Sequence, residues 1–283
     1  MKYLYLLPLV LLATGCVQTY RLGAGLHTHD LFYQAKPLTP LDTTVATATY
    51  IGGEIVAGDG YGGGFKAQQD QHFAGLLNLS RAHSWRGGAI SYAAFGYLGN
   101  YTVGDYTFSE YGPGTGQDPK LPSIYRGTYD FSGWGLRGSA FFNSQLDSKV
   151  AWRFLGVEWA YSRETGALTD LRQRIPQKQI TRSGGYDEWI IARSPSMTTI
   201  ALATEMEISS DRRKEKAFII KFSVGKSLPD YNRYRWFNTS SLTFAYQYHR
   251  HSFHFHYGNV TRKPAYQFGY HYQLGLKRKA PRW

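Results

Sequence analysis

Hydrophobic and polar residues along most of this chain alternate with a period of two, the spacing that puts successive side chains on opposite faces of a β-strand. The clearest run is Tyr266, Phe268, Tyr270, Tyr272, Leu274 and Leu276, interleaved with Gln267, Gly269, His271, Gln273 and Gly275. Ile200, Leu202, Met206 and Ile208 alternate with Ala201, Ala203, Glu205 and Glu207, and Phe218, Ile220, Phe222 and Val224 stand opposite Lys221 and Ser223. Leu242, Phe244, Tyr246 and Tyr248 alternate with Thr243, Ala245, Gln247 and His249. The phase then flips, because Phe253, Phe255 and Tyr257 are odd-numbered. A one-residue slip exchanges the faces of a strand, so a turn or bulge is expected near His249–His251. Earlier strands are expected near 44–57, 72–83, 88–99, 131–144 and 149–163. These runs exceed the five or six residues of an ordinary globular strand.

The links between runs alternate as well. Those near 58–71, 100–130 and 164–197 are long, and those near 84–87, 145–148 and 210–215 are short. Such asymmetry fits an all-β, antiparallel up-and-down β-barrel with tight turns at one end and long loops at the other. A turn at 249–251 gives about 10 strands; the alternative is 8. A short helix is expected at Thr169 to Arg174 within one long link. Alternation alone leaves two sidednesses open. A membrane barrel turns its apolar face to lipid, whereas a soluble barrel turns it inward around an apolar ligand. Strand length and the density of aromatics near segment ends favour the membrane, while the Lys277-Arg278-Lys279 run that follows the last strand opposes it.

The first residues read differently. Lys2 precedes an apolar run from Tyr3 to Ala13, then Thr14, Gly15 and Cys16. This has the three parts of a secretory signal and is too short to span a bilayer as a helix, which takes about 20 residues. Ala13-Thr14-Gly15-Cys16 resembles the bacterial lipobox, with Ala where Leu is usual. The resemblance implies cleavage before Cys16 and diacylation (palmitate-type chains) of its thiol. Val17, in place of the Asp that favours inner-membrane retention, implies the outer membrane, with the anchor on its periplasmic side. The expected organisation is a signal peptide over 1–15, a lipidated N-terminus and linker over 16–43, a barrel over 44–277 and a basic tail over 278–283. Lipobox and aromatic strands together resemble the uncharacterised outer-membrane β-barrel lipoproteins of Bacteroidetes-type bacteria, a likeness of style that carries no functional residues.

Composition narrows the classes. Cys16 is the single cysteine, which excludes an intrachain disulfide and a thiol-based metal site. Aromatic residues make up 16% and charged residues only 18%, below the usual quarter, the composition of a β-rich protein with wet, aromatic-heavy surfaces. The net charge of +12 raises nucleic acid as a partner, but export opposes it, and anionic head groups or acidic glycans suit it better. Arg86, Lys149, Arg212, Arg213, Lys214 and Lys216 all fall at expected short turns.

Candidate chemistry is thin. His249, His251, His254 and His256 lie close enough in sequence to be considered for Zn or Cu, yet no third ligand set is evident, and no metal or other cofactor is expected; His27 and His29 are weaker still. Gly58 to Gly64 lacks the Lys-Ser/Thr ending and following helix of a phosphate loop, and neither Ser139 nor Ser183 makes a hydrolase elbow. Glu158, Glu205, Glu207, Lys221 and Gln247 share alternation faces, and inside a narrow barrel would form a paired polar plug. The expectation is a non-enzymatic outer-membrane barrel lipoprotein with a structural, surface-binding or adhesion role, in contact with the bilayer through acylated Cys16 and the barrel wall. The alternative is a lipid-anchored soluble periplasmic β-protein holding an apolar ligand.

Overall fold

The computed structural model describes residues 19–22, 25, 33–42, 44–59, 70–104, 123–175, 179–182, 185–210, 216–228, 237–260 and 263–279. Its strands are β1 (Thr19–Leu22), β2 (Val45–Asp59), β3 (Gln71–Trp85), β4 (Gly88–Val103), β5 (Gly127–Gln145), β6 (Val150–Thr165), β7 (Gln179–Arg182), β8 (Gly185–Ile191), β9 (Ser196–Ser209), β10 (Lys216–Leu228), β11 (Phe237–Tyr248), β12 (His251–Val260) and β13 (Lys263–Lys279). One α-helix, α1, spans Ala167–Arg174.

Ten of these strands close a barrel in the order β10-β11-β12-β13-β2-β3-β4-β5-β6-β9, every neighbouring pair antiparallel. The first and last barrel strands pair with each other, Val45 opposite Lys279, so both begin and end at the short-turn mouth. Closure leaves no unpaired edge inside a bilayer, where a bare N–H or C=O costs several kcal/mol. Ten strands also decide the count against eight. The phase flip at the end of β11 is a turn: His249 and Arg250 connect Tyr248 to His251, with His249 at φ 51°.

Two strands carry one extra residue each. In β6 the pairing with β9 jumps from Arg153 to Gly156, and both Phe154 and Leu155 face outward. In β13 the register slips between Gln273 and Gly275, which sets Leu276 opposite Ala48. The alternation expected through Leu276 is therefore broken by a bulge, the device that lets a closing sheet curl. The loop asymmetry also has one exception, since only residues 261–262 separate β12 from β13 at the long-link mouth.

Sidedness follows from burial. Leu77, Leu98, Phe142 and Phe268 are the most exposed of the apolar wall residues, at 71%, 69%, 63% and 62%. They belong to an outward face that includes Ile51, Ile55, Leu79, Val157, Leu202 and Phe222. On β12 and β13 this face is a ladder of cross-strand pairs: His251 with Tyr272, Phe253 with Tyr270, Phe255 with Phe268 and Tyr257 with Tyr266. Phe fills the middle of the ladder and Tyr its ends, the distribution expected where a wall passes from hydrocarbon to head groups. Each barrel strand has at least the 10 residues of β12, enough to cross a tilted 30 Å core. An apolar belt on the outside and polar residues within is the arrangement of a transmembrane barrel, the reverse of a soluble one.

Candidate functional site

The chemistry of the molecule lies in the lumen, which is built in three layers. In an eight-stranded barrel the inward side chains suffice to fill the interior; ten strands leave room, and the chain fills it with itself. Residues 33–40, expected as linker, run inside the wall. Tyr33, Gln34, Ala35, Lys36 and Thr39 are each no more than 1% exposed. The wall around them is lined by small residues, Ala46, Ala48, Ala82, Ser91, Ala151, Ala203, Ala217 and Ala245, whose size creates the channel that the strap occupies. Tyr33 and Ala35 pack with Ala48, Tyr50, Ala82, Ile219 and Ala245.

The strap is fixed by charge. Lys36 Nζ stands 2.9 Å from Glu205 and 4.7 Å from the centre of the Phe141 ring. Arg153 bridges Glu205 and, at 2.9 Å, Glu207. Thr39 donates to Glu207 from its backbone N–H at 3.0 Å and from its hydroxyl at 3.1 Å. Ser91 donates to the Gln34 side-chain oxygen at 2.9 Å. Next to this layer, Lys221 donates to Glu158 at 2.7 Å and Arg137 approaches the same carboxylate at 3.3 Å. Glu54 forms a further centre, receiving Asn78 at 3.0 Å and Gln267, with His254 at 3.3 Å and His271 at 3.5 Å.

The upper layer is apolar. Val56, Leu76, Phe95, Tyr97, Tyr101 and Phe131 from the wall meet Leu22, Leu168, Leu171, Ile175 and Ile191 from above. These last come from β1, from α1 and from its C-terminal neighbour, and from the end of β8. Together with β7 they form a lid, a three-stranded sheet of order β1-β8-β7 beside one short helix. Glu164, near the end of β6, ties the lid down: it accepts from the backbone N–H of Gly25 at 2.7 Å, from Arg172 at 2.6 Å and from Thr169 at 3.2 Å. The helix was expected from Thr169; it begins at Ala167, and the link also holds β7 and β8, too short for periodicity to reveal.

Of the polar residues singled out by alternation, Glu158 and Lys221 pair directly, and Glu205 and Glu207 share Arg153. Gln247 is buried on the inward face of β11. The four histidines do not come together. His254 and His256 are inside the barrel, with His256 Nδ1 2.8 Å from the Thr243 hydroxyl. His249 is in the turn, and His251 lies on the outer ladder with its Nδ1 2.8 Å from the Tyr270 hydroxyl. Among the described residues no set of three or more His, Cys, Asp or Glu side chains is arranged to hold a metal. Ser139 lies in the lumen bonded to Ser91. Cys16, His27, His29, Ser183, Arg212, Arg213, Lys214 and Gly60 to Gly64 lie outside the described residues.

Sequence reasoning missed Lys36, Arg137, Glu54 and the lid pair Glu164–Arg172. For Lys36 there was an indirect signal: many inward positions near the short-turn mouth are Ala or Ser, small for a ten-stranded bore.

No family model and no curated protein matches the chain. Among solved structures, it is similar to the β domain of the Bordetella autotransporter BrkA, at 12% identity over 82% of this chain and 100% of that one, with a TM-score of 0.34. It is similar to the KdgM porin at 10% identity over 81% and 99%, with a TM-score of 0.30. An outer-membrane channel from Pseudomonas putida is similar at 8% identity over 86% and 100%, with a TM-score of 0.39. No residue role passes to this chain from any of them.

Proposed function

We propose that this chain is a non-enzymatic β-barrel lipoprotein of the bacterial outer membrane, lipidated on Cys16, that works as a closed, surface-presenting scaffold rather than as an open pore. One observation carries the reading: the wall is apolar outside while the bore is occupied by the protein's own strap and lid. A strap and lid within the bore, held by paired charges, oppose passage of solute, and the links at the long-link mouth are then the part offered to a partner. Glu158, Glu205 and Glu207 are each bound by a cation, so none stands ready as a general base. The basic residues at the short-turn mouth, Arg86, Lys149, Lys216, Lys277 and Arg278, are placed to meet anionic head groups, each at about 1 kcal/mol. A soluble barrel with an apolar ligand needs the opposite sidedness, and no observation favours it.

The test is refolding of residues 17–283 with and without detergent micelles, followed by circular dichroism and gel mobility with and without boiling. A β fold that needs detergent and shifts on heating is the expected result. A monomeric β fold in plain buffer would overturn the membrane reading. Labelling of cells with alkyne-palmitate, comparing the natural chain with Cys16→Ser, tests the lipid separately.

A further inference from the structure

The path of the chain before the first barrel strand has a direction. β1 pairs in parallel with β8, Thr19 opposite Glu188 and Leu22 opposite Ile191, and Leu22 is packed in the lid. Gly25 bonds to Glu164 near the end of β6, again at the long-link mouth. Farther along, Tyr33 lies at mid-barrel, its ring 5.2 Å from His254 and 6.2 Å from His271. Lys36 then meets Glu205, and Thr39 meets Glu207, two residues from the end of β9 at the short-turn mouth. Asp42 and Thr44 follow, and Val45 opens β2 at that mouth. Among the described residues, Gly25, Tyr33, Lys36, Thr39 and Val45 thus stand in sequence order from the long-link mouth to the short-turn mouth.

The connection between Gly25 and Tyr33 decides the topology. Eight peptide steps reach at most about 29 Å. Descending inside from the lid to mid-barrel takes on the order of 20 Å for strands of this length and a usual tilt. Passing outside the wall and re-entering from the short-turn mouth takes on the order of 60 Å on the same basis. The wall is closed, so there is no lateral entrance. Only the inner route is within reach.

We infer that the chain threads its own barrel from the long-link mouth to the short-turn mouth, so that the polypeptide before Thr19 emerges on the same side of the membrane as the long links. Cys16 is three residues from Thr19, within about 11 Å of it. Resting on the lipidation proposed above, this puts the acyl chains in the leaflet on the long-link side, the outer surface of the outer membrane. The periplasmic anchor expected from the signal alone is replaced by a surface-facing one. The lipid and the long links then share one face.

The experiment uses the full chain in cells. An epitope tag is inserted between Val17 and Gln18, with controls at 115 in a long link and at Gly87 in a short turn. Antibody binding is read on intact cells and again after outer-membrane permeabilisation, with heat-modifiable mobility confirming a folded barrel in each case. The expected result is binding to the first two tags on intact cells and to the Gly87 tag only after permeabilisation. A folded protein whose 17/18 tag is reached only after permeabilisation overturns the inference. Palmitate labelling on the same strains separates the two proposals. Label with a hidden tag overturns this inference and leaves the lipoprotein reading standing; an exposed tag without label supports threading and removes the lipid.

Discussion

Lys36 is one residue on which the closed bore depends. Among the described residues, the middle and lower lumen holds the carboxylates of Glu54, Glu158, Glu205 and Glu207 against the cations of Arg137, Arg153, Lys221 and Lys36. Removing the ammonium leaves Glu205 with one partner in a buried site. Lys36→Met is expected to destabilise by about 3–5 kcal/mol, read as a lower denaturant midpoint in micelles. Lys36→Met with Glu205→Gln should recover a substantial part, since the pair is coupled; strictly additive losses would contradict the contact. Glycines divide in the same way. A Cβ at Gly269 would overlap the His254 ring and come 2.7 Å from Glu54 Cγ, so Gly269→Ala should cost about 1–3 kcal/mol by overpacking. At Gly75 nothing lies within 4 Å, and Gly75→Ala should be near neutral in the same assay. Outside the membrane, Asp42 accepts from the Thr44 hydroxyl and, at 3.0 Å, from its N–H, and these bonds hold its carboxyl below the usual range. A depressed carboxyl contributes stability above its unfolded value of about 3.9 and loses it as pH falls through the folded one. Its carboxyl chemical shift should therefore titrate below that value, and Thr44→Val should raise the midpoint.

At the level of elements, the strands were legible because lipid on one side and a wet bore on the other impose strict alternation. The run expected at 131–144 became Gly127–Gln145, and that at 88–99 became Gly88–Val103. The added ends, such as Gly127-Thr128, project beyond the apolar belt, where both faces are wet and the period fades. The strap was not legible for a related reason: an extended segment surrounded by wall on every side has no face to alternate. Glu158, Glu205, Glu207 and Lys221 could be assigned to inward faces by parity, but parity cannot show which strand lies across the bore. Nor does parity give register, which sets Arg137 beside Glu158 of the neighbouring strand and Glu54 beside Asn78 and Gln267 of its two neighbours, and so Arg137 and Glu54 went unnoticed. The outward face gives an element-scale prediction. Leu77 is at mid-height on β3, so Leu77→Arg should cost about 2–4 kcal/mol in a bilayer; an unchanged midpoint in lipid would contradict a membrane-facing wall.

For the whole molecule, closure of the bore should be electrically visible. The full chain inserted in a planar bilayer is expected to show baseline conductance, and steady openings would mean that strap and lid do not stay in place. The ring of paired strands has a further consequence through the strap it encloses. A finished wall cannot admit a chain from the side, and the N-terminal segment would have to be dragged through a bore already packed with side chains. The sheet must therefore curl around a segment already in place before its last seam closes. Assembly of this barrel is wrapping rather than loading, and whatever machinery inserts it must hold the seam open until the strap has been laid down.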